Sequence, residues 1–120
     1  MYINNLPLGL ELDRMQEVIN HKLEHNFIFI RAEDLTSRPK EIMDEVYNKL
    51  GIDRFNHDFD NIEQTTHEND TWHGLDTDLH TIRRKVEPLK SDAVKVLGTE
   101  LCNTIDKEFE WYQKFFGYIS

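Results

Sequence analysis

The chain has 120 residues, with 23 acidic side chains against 14 basic ones, a formal charge of −9 and a pI near 5.0. That length suits one domain with a modest core, and the negative field argues against non-specific binding to nucleic acid or to an anionic membrane. The single cysteine, Cys102, precludes an internal disulfide and fits a reducing compartment.

The opening MYINNLPLG has no hydrophobic period and reads as an irregular arm. It lacks the basic start and apolar stretch of a signal peptide, and no run approaches the roughly 18 apolar residues of a membrane span, so a cytoplasmic location is expected. Leu8, Leu12, Met15, Ile19 and Leu23 then recur at helical spacing, with Glu11, Asp13, Arg14, Glu17 and Lys22 on the other side, which predicts an amphipathic helix over 8–25. His21 and His25 lie four apart on it, as a metal pair or as a solvated face.

Phe27-Ile28-Phe29-Ile30 is a continuous apolar run, and a strand over 27–31, buried on both faces of a parallel sheet, is the expectation. LTSRPKEIMDEVYNKLGI follows. Thr36 or Ser37 can cap a helix over 37–50, Pro39 suits its first turn, Ile42, Met43, Val46 and Leu50 form its apolar stripe, and Gly51 is a natural stop. Residues 52–88 are polar and weakly periodic, a long loop whose Phe55, Phe59, Ile62, Trp72, Leu75, Leu79 and Ile82 need something to pack on. Short and longer helices over 91–97 and 99–116 close the chain, broken at Gly98 and carrying Leu101, Ile105, Phe109, Tyr112 and Phe116 on one face.

Three groups of residues can carry chemistry. Glu33 and Asp34, at the end of the expected strand, can orient a binding group or cap the turn. The loop gathers His57, His67, His73 and His80 among Asp58, Asp60, Glu68, Asp70, Asp76 and Asp78, the ligand types of zinc, manganese or iron, but its spacing matches no established metal motif. No metal is therefore assigned; His67, His73 and Asp70 are the alternative ligand set. Arg83-Arg84-Lys85 is the densest positive cluster, suited to clamping a phosphate or sulfate or to pairing with nearby carboxylates. The chain contains no G-x-x-x-x-G-K-[ST], no G-x-G-x-x-G and no G-x-S-x-G.

In order, FIFIRAEDLTSRPKEIMDEVYNKLGI, HDFDNIEQTTHENDTWHG, LHTIRRKVEP and EWYQKFFGY resemble the C-terminal half of small bacterial and phage-type sulfotransferases, and PLGLELDRM resembles the element preceding them. The resemblance implies an α/β, three-layer fold related to P-loop kinases, of which this chain is a mostly helical piece with one or two strands. It also implies 3′-phosphoadenosine-5′-phosphosulfate as cofactor and transfer of its sulfuryl group to a hydroxyl or amine. The half that carries the phosphosulfate loop has no counterpart here, so catalysis by this chain alone is not expected, and no catalytic residue is assigned. Glu33 and Asp34 match the family's strand-end acidic pair, which braces the nucleotide-binding loop or helix, and His80, Arg83 and Arg84 fall in the late loop that approaches the nucleotide or closes over the acceptor. The implied partner is an N-terminal catalytic half in trans. Two rivals stand beside this reading: a non-catalytic interaction module that dimerises through its orphan strand, and a metal-binding protein built on the His/Asp loop.

Overall fold

The first helix, α1 (Pro7–Asn20), starts on a proline, whose fixed φ suits the first helical turn. Its Leu12, Met15 and Ile19 are half-buried, with Val18 beside them, while Glu11, Asp13, Arg14 and Glu17 face solvent; Leu23, expected on the same apolar face, lies beyond the helix and is 43% exposed. The helix ends at Asn20 rather than running to 25. The Leu23 N–H reaches back to the Val18 carbonyl (2.9 Å) and the Lys22 N–H to that of Ile19 (3.0 Å), with Lys22 at φ 55°. This paired closure needs a left-handed residue at its corner, a place that glycine fills best. Lys22→Gly is therefore expected to raise stability by about 1 kcal/mol, read as a higher denaturation midpoint with an unchanged slope. A single 3-10 turn, Glu24–Asn26, follows. This computed structural model describes residues 7–66, 71, 74 and 80–119.

The chain divides into two compact units, one made of Met1–Phe29 with Ser91–Ser120 and the other of Ile30–Lys90. In the first, Phe27 is extended (φ −121°, ψ 150°), but residues 27–31, the last two of which belong to the second unit, form no strand, and among the described residues there is no strand or sheet at all. The expected α/β three-layer class is thus corrected: the described architecture is helical. A strand needs a neighbour to take its N–H and C=O groups, and a four-residue apolar run does not by itself distinguish a buried strand from a segment held by its side chains. Here the side chains hold it. Phe29 stacks on Phe27 (centroids 5.8 Å, 14°) and meets Phe115 and Phe116 edge-on at 5.6 and 5.4 Å.

The same unit contains α4 (Ala93–Leu97), α5 (Thr99–Glu108) and α6 (Glu110–Phe115). The break expected at Gly98 is present, with φ 79° and ψ 158°, a conformation essentially confined to glycine. A second interruption falls at Phe109, whose N–H still bonds the Ile105 carbonyl (2.9 Å), so the expected helix over 99–116 is two helices. Gly117 closes α6 with the same paired closure, through Lys114 (3.2 Å) and, from Tyr118, Gln113 (2.8 Å). All of α4 is solvent-exposed, and no hydrophobic side chain among the described residues is fully buried.

The second unit opens with α2 (Ala32–Ser37) and α3 (Pro39–Leu50), joined through Arg38. The helix expected over 37–50 begins at Pro39 instead, and a separate helix, α2, stands before it where a turn was expected; the residue before a proline is pushed out of the helical region, and Arg38 sits at φ −136°, ψ 55°. Thr36 caps nothing. Its hydroxyl donates to the Ala32 carbonyl (2.7 Å) and accepts the Leu89 N–H (3.0 Å), tying α2 to the end of the long loop. Gly51, left-handed at φ 66°, ends α3 as the sequence predicts.

Candidate functional site

The loop after α3 is fastened to that helix by side chains. The Tyr47 hydroxyl donates to His57 Nε2 (2.6 Å) when the imidazole carries its proton on Nδ1, and the ring of His57 packs among Tyr47, Phe55 and Phe59 at 5.9, 4.9 and 5.3 Å. Beside them Asp44 accepts from Lys40 (2.8 Å) and pairs with Arg54 (3.5 Å), while Arg54 also donates to Asn48 (3.2 Å). The Lys40 hydrogen bond, the largest influence, outweighs the opposing effect of burial and, with the lesser pull of the Arg54 charge, holds the Asp44 carboxyl below its ordinary value.

From that anchor, residues 59–64 and 80–86 run side by side in opposite directions, joined by two backbone hydrogen bonds too few to make a strand pair. The Val86 N–H donates to the Phe59 carbonyl (2.9 Å) and the Ile62 N–H to the Arg84 carbonyl (2.7 Å). The next rung is supplied by a side chain. Gln64 Oε1 accepts the Ile82 N–H (2.9 Å), and its Nε2 donates to the carbonyls of His80 (3.0 Å) and Thr66 (2.8 Å). One amide thus satisfies three backbone groups, and it does so where the ladder would otherwise open.

This narrow hairpin sets out the three consecutive cations differently. Lys85 pairs with Asp60 at 2.6 Å, and that hydrogen bond, with the carboxylate's charge, raises its pKa. Arg84 donates to Asn61 Oδ1 (2.8 Å), a neutral partner that orients the guanidinium without neutralising it. Arg83 is exposed and has no hydrogen-bond or ion-pair partner among the described residues. Two full positive charges are therefore displayed without a carboxylate on them, in a protein whose formal charge is −9.

The acidic pair is placed elsewhere in the same unit. Glu33 and Asp34 lie in the first turn of α2, not at a strand end, and Asp34 is held at 3.4 Å by both Arg31 and Arg38. Asp34 thus sits in a local ion-pair network, and no side chain among the described residues caps α2 or α3. His80 is exposed and contributes its carbonyl to the Gln64 bridge. His67, His73 and Asp70 lie outside the described residues. His21 is exposed beyond α1, and His25 Nδ1 bonds the Lys22 carbonyl (3.0 Å). Among the described residues no three His, Cys, Asp or Glu side chains converge as a metal-ligand set, and no helix is long and apolar enough to cross a membrane.

Sequence reasoning missed Asn61, Gln64 and the Tyr47–His57 contact. Only the aromatic and aliphatic residues of the long loop, Phe55, Phe59 and Ile62 among them, signalled that it would be packed and not bare. Comparison with known protein families, with curated proteins and with solved structures finds no match to the chain.

Proposed function

We propose that the chain is the nucleotide-contacting part of a sulfuryl-transfer system, recognising the phosphates of 3′-phosphoadenosine-5′-phosphosulfate through the 59–64/80–86 hairpin. The observation that carries this reading is the pair of guanidinium groups at Arg83 and Arg84, displayed without carboxylate partners among the described residues on a hydrogen-bonded frame. Guanidinium forks match phosphate oxygens and lose little freedom when already oriented. The donor set suits an anion. Arg83 would supply the unengaged fork and Arg84 the one already oriented by Asn61. When bound, the cofactor supplies an activated sulfuryl group for a hydroxyl or amine acceptor. The base and the phosphosulfate loop would come from an N-terminal half in trans, in the cytoplasm. Neither Glu33 nor Asp34 is included, since α2 already employs Asp34.

The test is calorimetric titration with 3′-phosphoadenosine-5′-phosphate, the spent cofactor, at low salt. Saturable binding is expected, weakened about tenfold or more by the double change Arg83→Ala and Arg84→Ala. Equal binding by the variant, or none at millimolar ligand, overturns the reading.

A second reading, a non-catalytic interaction module, is favoured by the exposed apolar residues Val94, Val96, Leu97 and Leu101, with Val96 69% exposed. If a second copy covers them, sedimentation equilibrium will return twice the 14.4 kDa chain mass. A monomer mass across micromolar concentrations excludes the dimer.

A further inference from the structure

The unit made of Met1–Phe29 and Ser91–Ser120 contains an open cavity of about 530 Å³ that plays no part in the hairpin. Leu12 of α1, Ile105 of α5, Phe109 at the break, Tyr112 of α6 and Tyr118 beyond it make an almost wholly apolar wall. The volume lies within the range of about 300–1,000 Å³ typical of small-molecule sites. The rings of Tyr112 and Tyr118 are nearly parallel, 14° apart with centroids at 6.3 Å.

The polar groups of the wall are Asp106 and Gln113, and they are joined. Gln113 Nε2 donates to Asp106 Oδ1 at 2.7 Å, which fixes the carboxylate beside the cavity without neutralising it. Asp106 forms no ion pair among the described residues, although Lys107 follows it in the chain. A wall with three aromatic rings, one oriented carboxylate and no cation thus lines one side of this open space.

Aromatic faces carry the negative pole of the ring quadrupole, and a carboxylate adds a full charge of the same sign, so both attract a cation. The apolar wall disfavours a bare inorganic ion, which would lose hydration there and find few oxygen ligands in return. It favours a cation that brings its own apolar body. We propose that this cavity binds an amphiphilic organic cation, an ammonium group carried on an aromatic or aliphatic body. The ammonium sits against Asp106 and the tyrosine rings, and the body lies along Leu12, Ile105 and Phe109. The proposal stands apart from the anion reading, since charge and location both differ.

The test uses 4-phenylbutylamine, protonated at pH 7, against 4-phenylbutan-1-ol, which has the same body without the charge. Each is titrated into the full chain, with saturation-transfer NMR and tryptophan fluorescence as readouts. The amine is expected to bind at least about tenfold more tightly than the alcohol. Asp106→Asn should remove that preference and leave the alcohol's affinity unchanged, while Asn103→Ala, outside the cavity wall, should alter neither. Circular dichroism of each variant establishes that the helices persist, and Asp106→Glu, which keeps the charge, should retain the preference for the amine if Asp106→Asn disturbs the fold. Equal binding of the two probes, an amine preference that survives Asp106→Asn in a folded variant, or no saturable binding of either at millimolar concentration overturns the proposal.

Discussion

Replacement of Gly98 by asparagine is expected to cost about 1–3 kcal/mol, or else to change the fold locally. An added Cβ at this position meets nothing within 4 Å, so the cost lies wholly in the backbone, at φ 79° and ψ 158°. The chain has one cheap escape. The Gly98 N–H already bonds the Val94 carbonyl (3.0 Å), and the Cys102 N–H already bonds the Gly98 carbonyl (3.2 Å). Moving residue 98 into the helical region would therefore fuse α4 and α5 into one helix over Ala93–Glu108. Either a lowered denaturation midpoint or an increase in far-UV helical signal is expected. Gly51→Asn is the control: its φ 66° and ψ 31° lie in the left-handed region that asparagine tolerates, so its effect should be clearly smaller. Equal effects at the two glycines would show that the Gly98 conformation does not hold the two helices apart.

The second large effect is expected at Phe29. Its ring contacts three others, Phe27, Phe115 and Phe116, and joins the segment after α1 to the end of α6. Phe29→Ala removes all three contacts and should destabilise the unit by about 2 kcal/mol, less than for a fully buried phenylalanine because Phe29 is only half-buried. Phe29→Leu, which keeps much of the volume, should lose less than half of that. The measurement is urea denaturation followed by near-UV circular dichroism, which reports the packed rings. An alanine variant as stable as the parent would mean that the helices of this unit hold together without the aromatic cluster.

Phe29 also marks where sequence and structure part. The residues that build the helices were legible because their signals are local: the period of Leu12, Met15, Val18 and Ile19, the stop at Gly51, the break at Gly98. Phe27–Ile30 misled because the identity of a strand resides in its neighbour, and the apolar residues that would hold a strand also satisfy a side-chain cluster. Pro39 was read as the first turn of one helix, yet its effect on Arg38 splits that helix from α2. In the hairpin, Arg83 and Arg84 stood out by charge. That Arg84 has a neutral partner and Lys85 an acidic one depends on Asn61 and Asp60, more than twenty residues earlier, and no pattern along the chain reports that register.

The Gln64 amide has a bearing on what holds this hairpin in place. In an ordinary ladder the register is fixed by the backbone on both strands, and each altered loop length must be accommodated by the turn. Here a single side chain clasps both ends of the intervening segment, gripping Thr66 on one side and His80 and Ile82 on the other. Extending a closed loop costs only about 0.6 kcal/mol for each doubling of its length. The frame under Arg83 and Arg84 is therefore set by the three hydrogen bonds of one side chain, and not by the length of chain between Thr66 and His80.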